Sequence, residues 1–298
     1  MSTQAHTSPN PRTERHPIMS PTDQGIPSAA RGTSLPTEAA DGPVGARERR
    51  AGGLSRTYLR LELVRNLRNP WTIGFAAIMP AALYLLFGAA PAYGSQPVAH
   101  GTVAGMIMAN MALFGAMMAA VNVAGAVADE RGVGWHRQLR LSPLRPWVYV
   151  TSKLIAALAL TFLVVAVTFT VGALTGAQLD PATWVRSFVV AWLAGTALFA
   201  AFGLAVGYLF TGEAVLGVVG PFMSLFAFFG GVFIPLEQLG TLMQTVGAWT
   251  PMYGVRMLVE APILGEPVGA GALLNIAGWF VLFCAIAIWR FRAAAGRS

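Results

Sequence analysis

Between Val185 and Pro235 the chain carries two charged residues, Arg186 and Glu213, and is otherwise almost wholly apolar or small. A bilayer core about 30 Å thick is crossed by roughly 20 apolar residues rising 1.5 Å each. This stretch is therefore too long to cross once and must reverse. The reversal is expected at Thr211–Gly212–Glu213, where glycine permits a tight turn and a mid-membrane glutamate would be costly. The same criterion marks Trp71–Ala90, Val103–Ala128, Leu154–Thr175, Val185–Phe210, Ala214–Pro235 and Gly271–Trp289. Six spans follow, and with them an all-α, polytopic membrane fold.

Composition agrees. The 298 residues are 55% hydrophobic and 11% charged, against about 25% charged in soluble domains. The net charge of +7 would suggest nucleic acid if the cations shared a soluble face. They sit beside the apolar runs instead, so they read as topogenic charge and no nucleic-acid partner is expected. The single cysteine, Cys284, lies inside an apolar run, which leaves neither a disulfide framework nor a cysteine metal site. Residues 1–53 are rich in Pro, Ser, Thr and Gly without apolar periodicity. They read as a disordered cytoplasmic tail, with a transmembrane domain over 54–298.

Orientation follows the cations. Arg47, Arg49, Arg50, Arg56, Arg60, Arg65 and Arg68 precede the first span; Arg131, Arg137, Arg140, Arg145 and Lys153 fall between the second and third; Arg290, Arg292 and Arg297 follow the sixth. The opposite side has Arg186 and Arg256. Both termini and the basic loop are expected in the cytoplasm. In that loop Gly132 and Gly134 loosen the helix end, and "WHRQLRL" reads as a short helix with Trp135 and Leu139 on one face. Arg137 and Arg140 point elsewhere, and Ser142–Pro143 closes the helix. Such a segment could lie on lipid headgroups or dock into a partner's groove.

Glu130, Arg131, Gly134, Leu139, Ser142, Pro143 and Lys153 fall at a spacing that resembles the loop of ABC-2-type exporter permeases, with Gly132 in place of the usual second acidic residue. "LVRNLRNPW", Leu63–Trp71, is similar to the amphipathic helix that leads into that family's first span, and "FFGGVFIPLEQL", Phe228–Leu239, to the end of its fifth. The likeness runs from about Leu54 to Arg292. It implies a permease working as a homo- or heterodimer with a separate ABC ATPase that binds ATP and Mg. It also implies a docking loop containing Glu130, Arg131, Trp135, Arg137, Leu139 and Arg140, and a path lined by the second and fifth spans. The leading helix carries Leu59, Leu63, Val64 and Leu67 as a stripe, with Arg56 and Arg60 in the same arc, their stems able to lie along apolar surface.

On the second span Met106, Asn110, Phe114 and Met117 share one face, while Met111, Gly115, Met118 and Asn122 share another. On the fifth, Phe222, Phe226, Phe229 and Phe233 step by four, three and four, an expected aromatic face. Met and Phe adapt to varied apolar ligands, and ordinary helix packing explains the same residues. Leu236–Pro262 reads as a helical hairpin at the outer leaflet, broken at Thr250–Pro251. Gly203-x-x-x-Gly207 and Gly172-x-x-x-Gly176 permit close helix approach. The chain has no phosphate loop, no H-E-x-x-H, no G-x-S-x-G and no pair of carboxylates within a span. Asp180, Glu237, Glu260 and Glu266 are all placed on the outer side. Neither catalysis nor ion coupling is expected, and no cofactor or metal in this chain. An ATP-driven export of drug-like amphiphiles from a bacterial plasma membrane leads; lipid or polysaccharide export is the alternative, and a membrane enzyme or sensor comes third.

Overall fold

The apolar runs fold as helices, and their ends fall where glycine, proline or a capping hydroxyl interrupts them. The computed structural model describes residues 56–68, 74–132, 146–238 and 240–295. The tail expected over 1–53 and the basic-loop residues 133–145 lie outside the described residues. Helix α1 covers Arg56–Leu67. A π-helical turn, Gly74–Ile78, runs into α2, Met79–Phe87. A minimal antiparallel ladder of β1, Pro97–Val98, and β2, Gly101–Thr102, precedes α3, Val103–Gly125. There follow α4, Val127–Gly132; α5, Pro146–Leu174; α6, Pro181–Leu209; α7, Glu213–Phe229; α8, Thr241–Ala248; α9, Pro251–Leu264; and α10, Ala270–Ala295.

Among the described residues four helices are long and apolar enough to cross a membrane: Val103–Gly132, Val148–Leu174, Pro181–Leu209 and Ala270–Ala293. Two shorter apolar helices, Gly74–Phe87 and Gly217–Phe229, occupy the first and fifth expected runs. Both fall short of an about 30 Å core at 1.5 Å per residue. Gly88 ends α2, and Gly230–Gly231, with φ 77° at Gly231, ends α7. The fold is mostly helical, polytopic and membrane-embedded.

The expected reversal stands at Gly212, whose φ is 61°. Helix α7 then returns along α6, since Phe202 meets Phe222 at 6.5 Å and Phe226 at 5.2 Å. At the other end of α3, Thr102 Oγ1 accepts from the Gly105 amide at 3.3 Å and caps the helix.

Helix α3 is the centre of the bundle, packed on α5 and α6, with Met108, Leu113 and Met117 fully buried. Gly203 and Gly207 make the α3–α6 approach close. A Cβ at Gly203 would lie 2.9 Å from the Val121 carbonyl oxygen, and one at Gly207 3.3 Å from that of Gly125. The second glycine pair does not act alike. Gly172 faces the Met108 side chain, but Gly176 lies past the helix end with φ 96° and nothing within 4 Å.

Three expectations need correction. The fifth span's aromatic face is shorter than its spacing suggested, because α7 ends at Phe229 and leaves Phe233 in the following bend. The leading helix buries its expected stripe only in part: Leu59 and Leu63 are half-buried, Leu63 against the core, while Val64 is exposed and Glu62 is buried, so polar contacts help to seat it. The hairpin breaks at Thr250–Pro251 as expected, yet α9 does not lie on the surface. Met252, Val255, Val259 and Ile263 are fully buried against the bundle.

Packing at Gly203 and open space at Gly217 make opposite demands. Gly203→Ala is expected to lower the thermal midpoint of the purified protein, at a cost of about 1–3 kcal/mol from overpacking against backbone. Gly217→Ala should hold or raise it through helix propensity. Thermal unfolding of both variants in detergent checks the contrast.

Candidate functional site

At the arginine-rich end of the bundle, α1, α4 and α5 converge on a cluster of charges. Lys153 is the only lysine of the sequence, and its side chain is 0% exposed. Its Nζ donates to Glu62 Oε1 at 2.7 Å and to Glu130 Oε1 at 2.5 Å. Arg65 Nη2 donates to the same two oxygens, at 2.9 Å and 2.6 Å, from a half-exposed position that covers the cluster. The Tyr149 hydroxyl donates to Glu130 Oε2.

Local geometry explains why these residues can meet. Glu62 and Arg65 are three apart on α1, and Tyr149 and Lys153 four apart on α5, so each pair shares a helix face. Glu130 is delivered by α4, which continues α3 after the single irregular residue Ala126. Two carboxylates face two cations, so the group is balanced in charge. Buried charges persist when paired and hydrogen-bonded, and removing one partner leaves the other stranded. The arrangement ties α1, α4 and α5 together by charge.

Arg131 faces the other way. Its Nη1 donates to the carbonyls of Gly207 at 2.9 Å and Tyr208 at 2.7 Å, capping the end of α6. Glu130 and Arg131, grouped by sequence with a docking surface, are thus both engaged inside this chain. Trp135, Arg137, Leu139 and Arg140 lie outside the described residues.

A second polar group is buried toward the opposite end. Asn110 Nδ2 donates to Glu260 Oε1 at 2.6 Å, and Glu260 Oε2 lies 3.0 Å from Arg256 Nη1. Sequence placed Arg256 and Glu260 in an outer segment; they are 1% and 5% exposed, and α9 inserts them against α3. The carboxylate fixes the Asn110 amide with its NH2 inward. Asn110 Oδ1 has no partner among the described residues.

One turn along α3, Phe114 packs edge-on to Phe233 at 5.2 Å. Asn110, Phe114 and Phe233 are therefore brought together. Met117 is sunk in the core, and Asn122 is exposed on another side of α3. Phe226 is buried beside Phe202, Phe222 remains 45% exposed, and Phe229 packs on Phe228 at 5.5 Å.

Sequence reasoning missed Glu62, Tyr149 and the pairing of Asn110 with Glu260. Two signals were present: Glu62 is the one acidic residue of α1, and Lys153 is the one lysine of the chain. Lys153→Met should destabilise the fold by about 3 kcal/mol, since it leaves two carboxylates to share the half-exposed Arg65 as their one cation. Adding Glu62→Gln should recover part of that loss, a coupling of about 1 kcal/mol or more. A double-mutant cycle on thermal unfolding reads both values.

Residues 92–289 match the family model described as "ABC-2 family transporter protein". A protein of Bacillus subtilis (strain 168) named "Putative transport permease YvfS" is 30% identical over 229 residues, spanning 74% of this chain and 90% of that protein. With helices of this length and a match over these residues, the chain belongs to the ABC-2 family of transporters.

Proposed function

We propose that this permease is the membrane half of an ATP-driven exporter, moved by a separate ABC ATPase through the loop between α4 and α5. The observation that carries the reading is the buried cluster of Glu62, Arg65, Glu130, Tyr149 and Lys153. That loop leaves from α4 and returns to α5, and both of its roots are tied to α1 by charge. A push on the loop reaches all three helices at once. Trp135 and Leu139 offer apolar contact to the ATPase and Arg137 and Arg140 charge, while Glu130 and Arg131 act as the roots. ATP and Mg belong to that partner.

Six spans, with both termini in the cytoplasm of a bacterium, suit the placement of the cations. The two short apolar helices would serve as the first and fifth spans, a mismatch that bilayer thinning and a second permease copy can absorb. Asn122 supports the second copy, because an amide exposed on an apolar helix is costly toward lipid and is better placed against another chain or a path. Phe114 and Phe233 supply an aromatic pair near the fixed amide of Asn110, and Phe222 a half-exposed ring on α7, which suits amphiphilic, drug-like cargo. Lipid or polysaccharide export is the alternative by the same mechanism.

The test is co-purification of the tagged permease with an ABC ATPase from its host. Trp135→Ala combined with Arg137→Ala is expected to abolish recovery of the ATPase while leaving the permease's thermal midpoint in place. Full recovery with the double variant would contradict docking through this loop.

A further inference from the structure

Seating α1 on the charge cluster turns its other side outward, and that side has a chemistry of its own. Leu59, Glu62, Leu63 and Asn66 are buried or half-buried, while Arg60, Leu61, Val64, Arg65 and Arg68 are exposed. Arg68 stands one position past the helix and still donates its amide to the Val64 carbonyl at 2.8 Å. The exposed set falls at i, i+1, i+4, i+5 and i+8, one continuous face about 12 Å long.

That face holds three guanidinium groups and no acid, because Glu62, the one carboxylate of α1, is turned to Lys153. Among the described residues neither Arg60 nor Arg68 pairs with a carboxylate. Between these two cations Leu61 is 63% exposed and Val64 37%. Uncompensated positive charge asks for anions, and the apolar pair set inside it gains from leaving water.

The depth at which α1 is held says what covers the face. Glu62 bonds Lys153, which lies about one and a half turns inside the membrane-crossing helix Val148–Leu174. That helix is about 40 Å long against an apolar core of about 30 Å, so Lys153 falls near the core boundary. Arg65 bonds Glu130, in the last turn of Val103–Gly132. Both anchors hold α1 where acyl chains give way to headgroups. At that level arginine heads reach phosphates and aliphatic side chains enter the acyl boundary.

We propose that the face of α1 formed by Arg60, Leu61, Val64 and Arg68 binds anionic phospholipid, with the two arginines on headgroup phosphates and the apolar pair in the acyl boundary. Net negative headgroups are preferred, because a phosphatidylcholine phosphate already carries its own cation. Arg65 shares this face and bonds both carboxylates, so one side chain adjoins the lipid surface and the cluster together. The inference goes beyond the export reading and depends on neither the cargo nor an ATPase.

The experiment places a fluorophore on Leu61→Cys in full-length protein with Cys284→Ala, in phosphatidylcholine nanodiscs. A fixed fraction of the lipid is nitroxide-labelled phosphatidylglycerol or nitroxide-labelled phosphatidylcholine. Both should quench, phosphatidylglycerol more strongly, and added salt should shrink the difference. Arg60→Gln combined with Arg68→Gln should cut the preference about fivefold, the worth of one interfacial cation, or more. The thermal midpoint should stay in place, since neither side chain pairs within the fold. A fluorophore on Leu274→Cys, an exposed position near the start of α10, should show no preference. Equal quenching by the two lipids at position 61, or a preference that survives the double variant, would overturn the proposal. Quenching by neither lipid would overturn it too, placing the face against water or a protein partner.

Discussion

An ammonium held at 0% exposure between apolar helices can stay charged only if carboxylates come in with it. Lys153 imposes that condition on this molecule. Glu62 and Glu130 satisfy it from two other segments, and the helix that leads into the bundle is thereby fixed to α4 and α5. Arginine would not serve as well, since its broad planar fork needs more room than a point charge between two carboxylate oxygens. The joint costs desolvation and returns specificity: the three segments are either all in register or none of them is.

The opposite end is built on the same logic with fewer charges. Glu260 carries its counter-ion, Arg256, on its own helix four residues away, so α9 enters the bundle already paired. The bond from Asn110 then sets that helix against α3. Backbone bonds among the far-end connections, from His100 to the Ile263 carbonyl and from Asp180 to the His100 carbonyl, close the same end. Between the two ends, small residues rather than polar ones set the packing, as at Gly203 against Val121. Helix α7 is different in kind: it contains Pro221, its Gly217 and Gly220 face open space, and its outward side is aromatic.

Much of this was legible in the residues. Apolar run length gave the helices, and the glycine at 212 gave the reversal, because both are local properties of the chain. Cation placement marked the end where the joint lies. What stayed hidden was pairing. Glu62 sits in an arginine-rich segment that reads as a topogenic signal, and only the meeting with Lys153, 91 positions away, shows it to be a structural carboxylate. Glu260 read as an outer-surface charge, because nothing local announces that a short helix with moderate apolar content will be buried on nearly every side. Phe233 kept helical spacing with its neighbours after the helix had ended at two glycines. Each miss comes from reading a periodic pattern beyond the point where tertiary contact decides.

A shared, buried pair of carboxylates locks α1 to α5, so the two helices should move as one body. Spin labels at Leu61→Cys on α1 and Leu154→Cys on α5, both exposed positions, in a Cys284→Ala background, measure this directly. Their separation should stay constant within about 1–2 Å, the scale of small helix shifts, when the permease is cycled with its proposed ATPase between nucleotide-free and ATP-bound states. A change of about 5 Å or more, one helical turn of sliding, would show that the charged joint opens during transport and would contradict it.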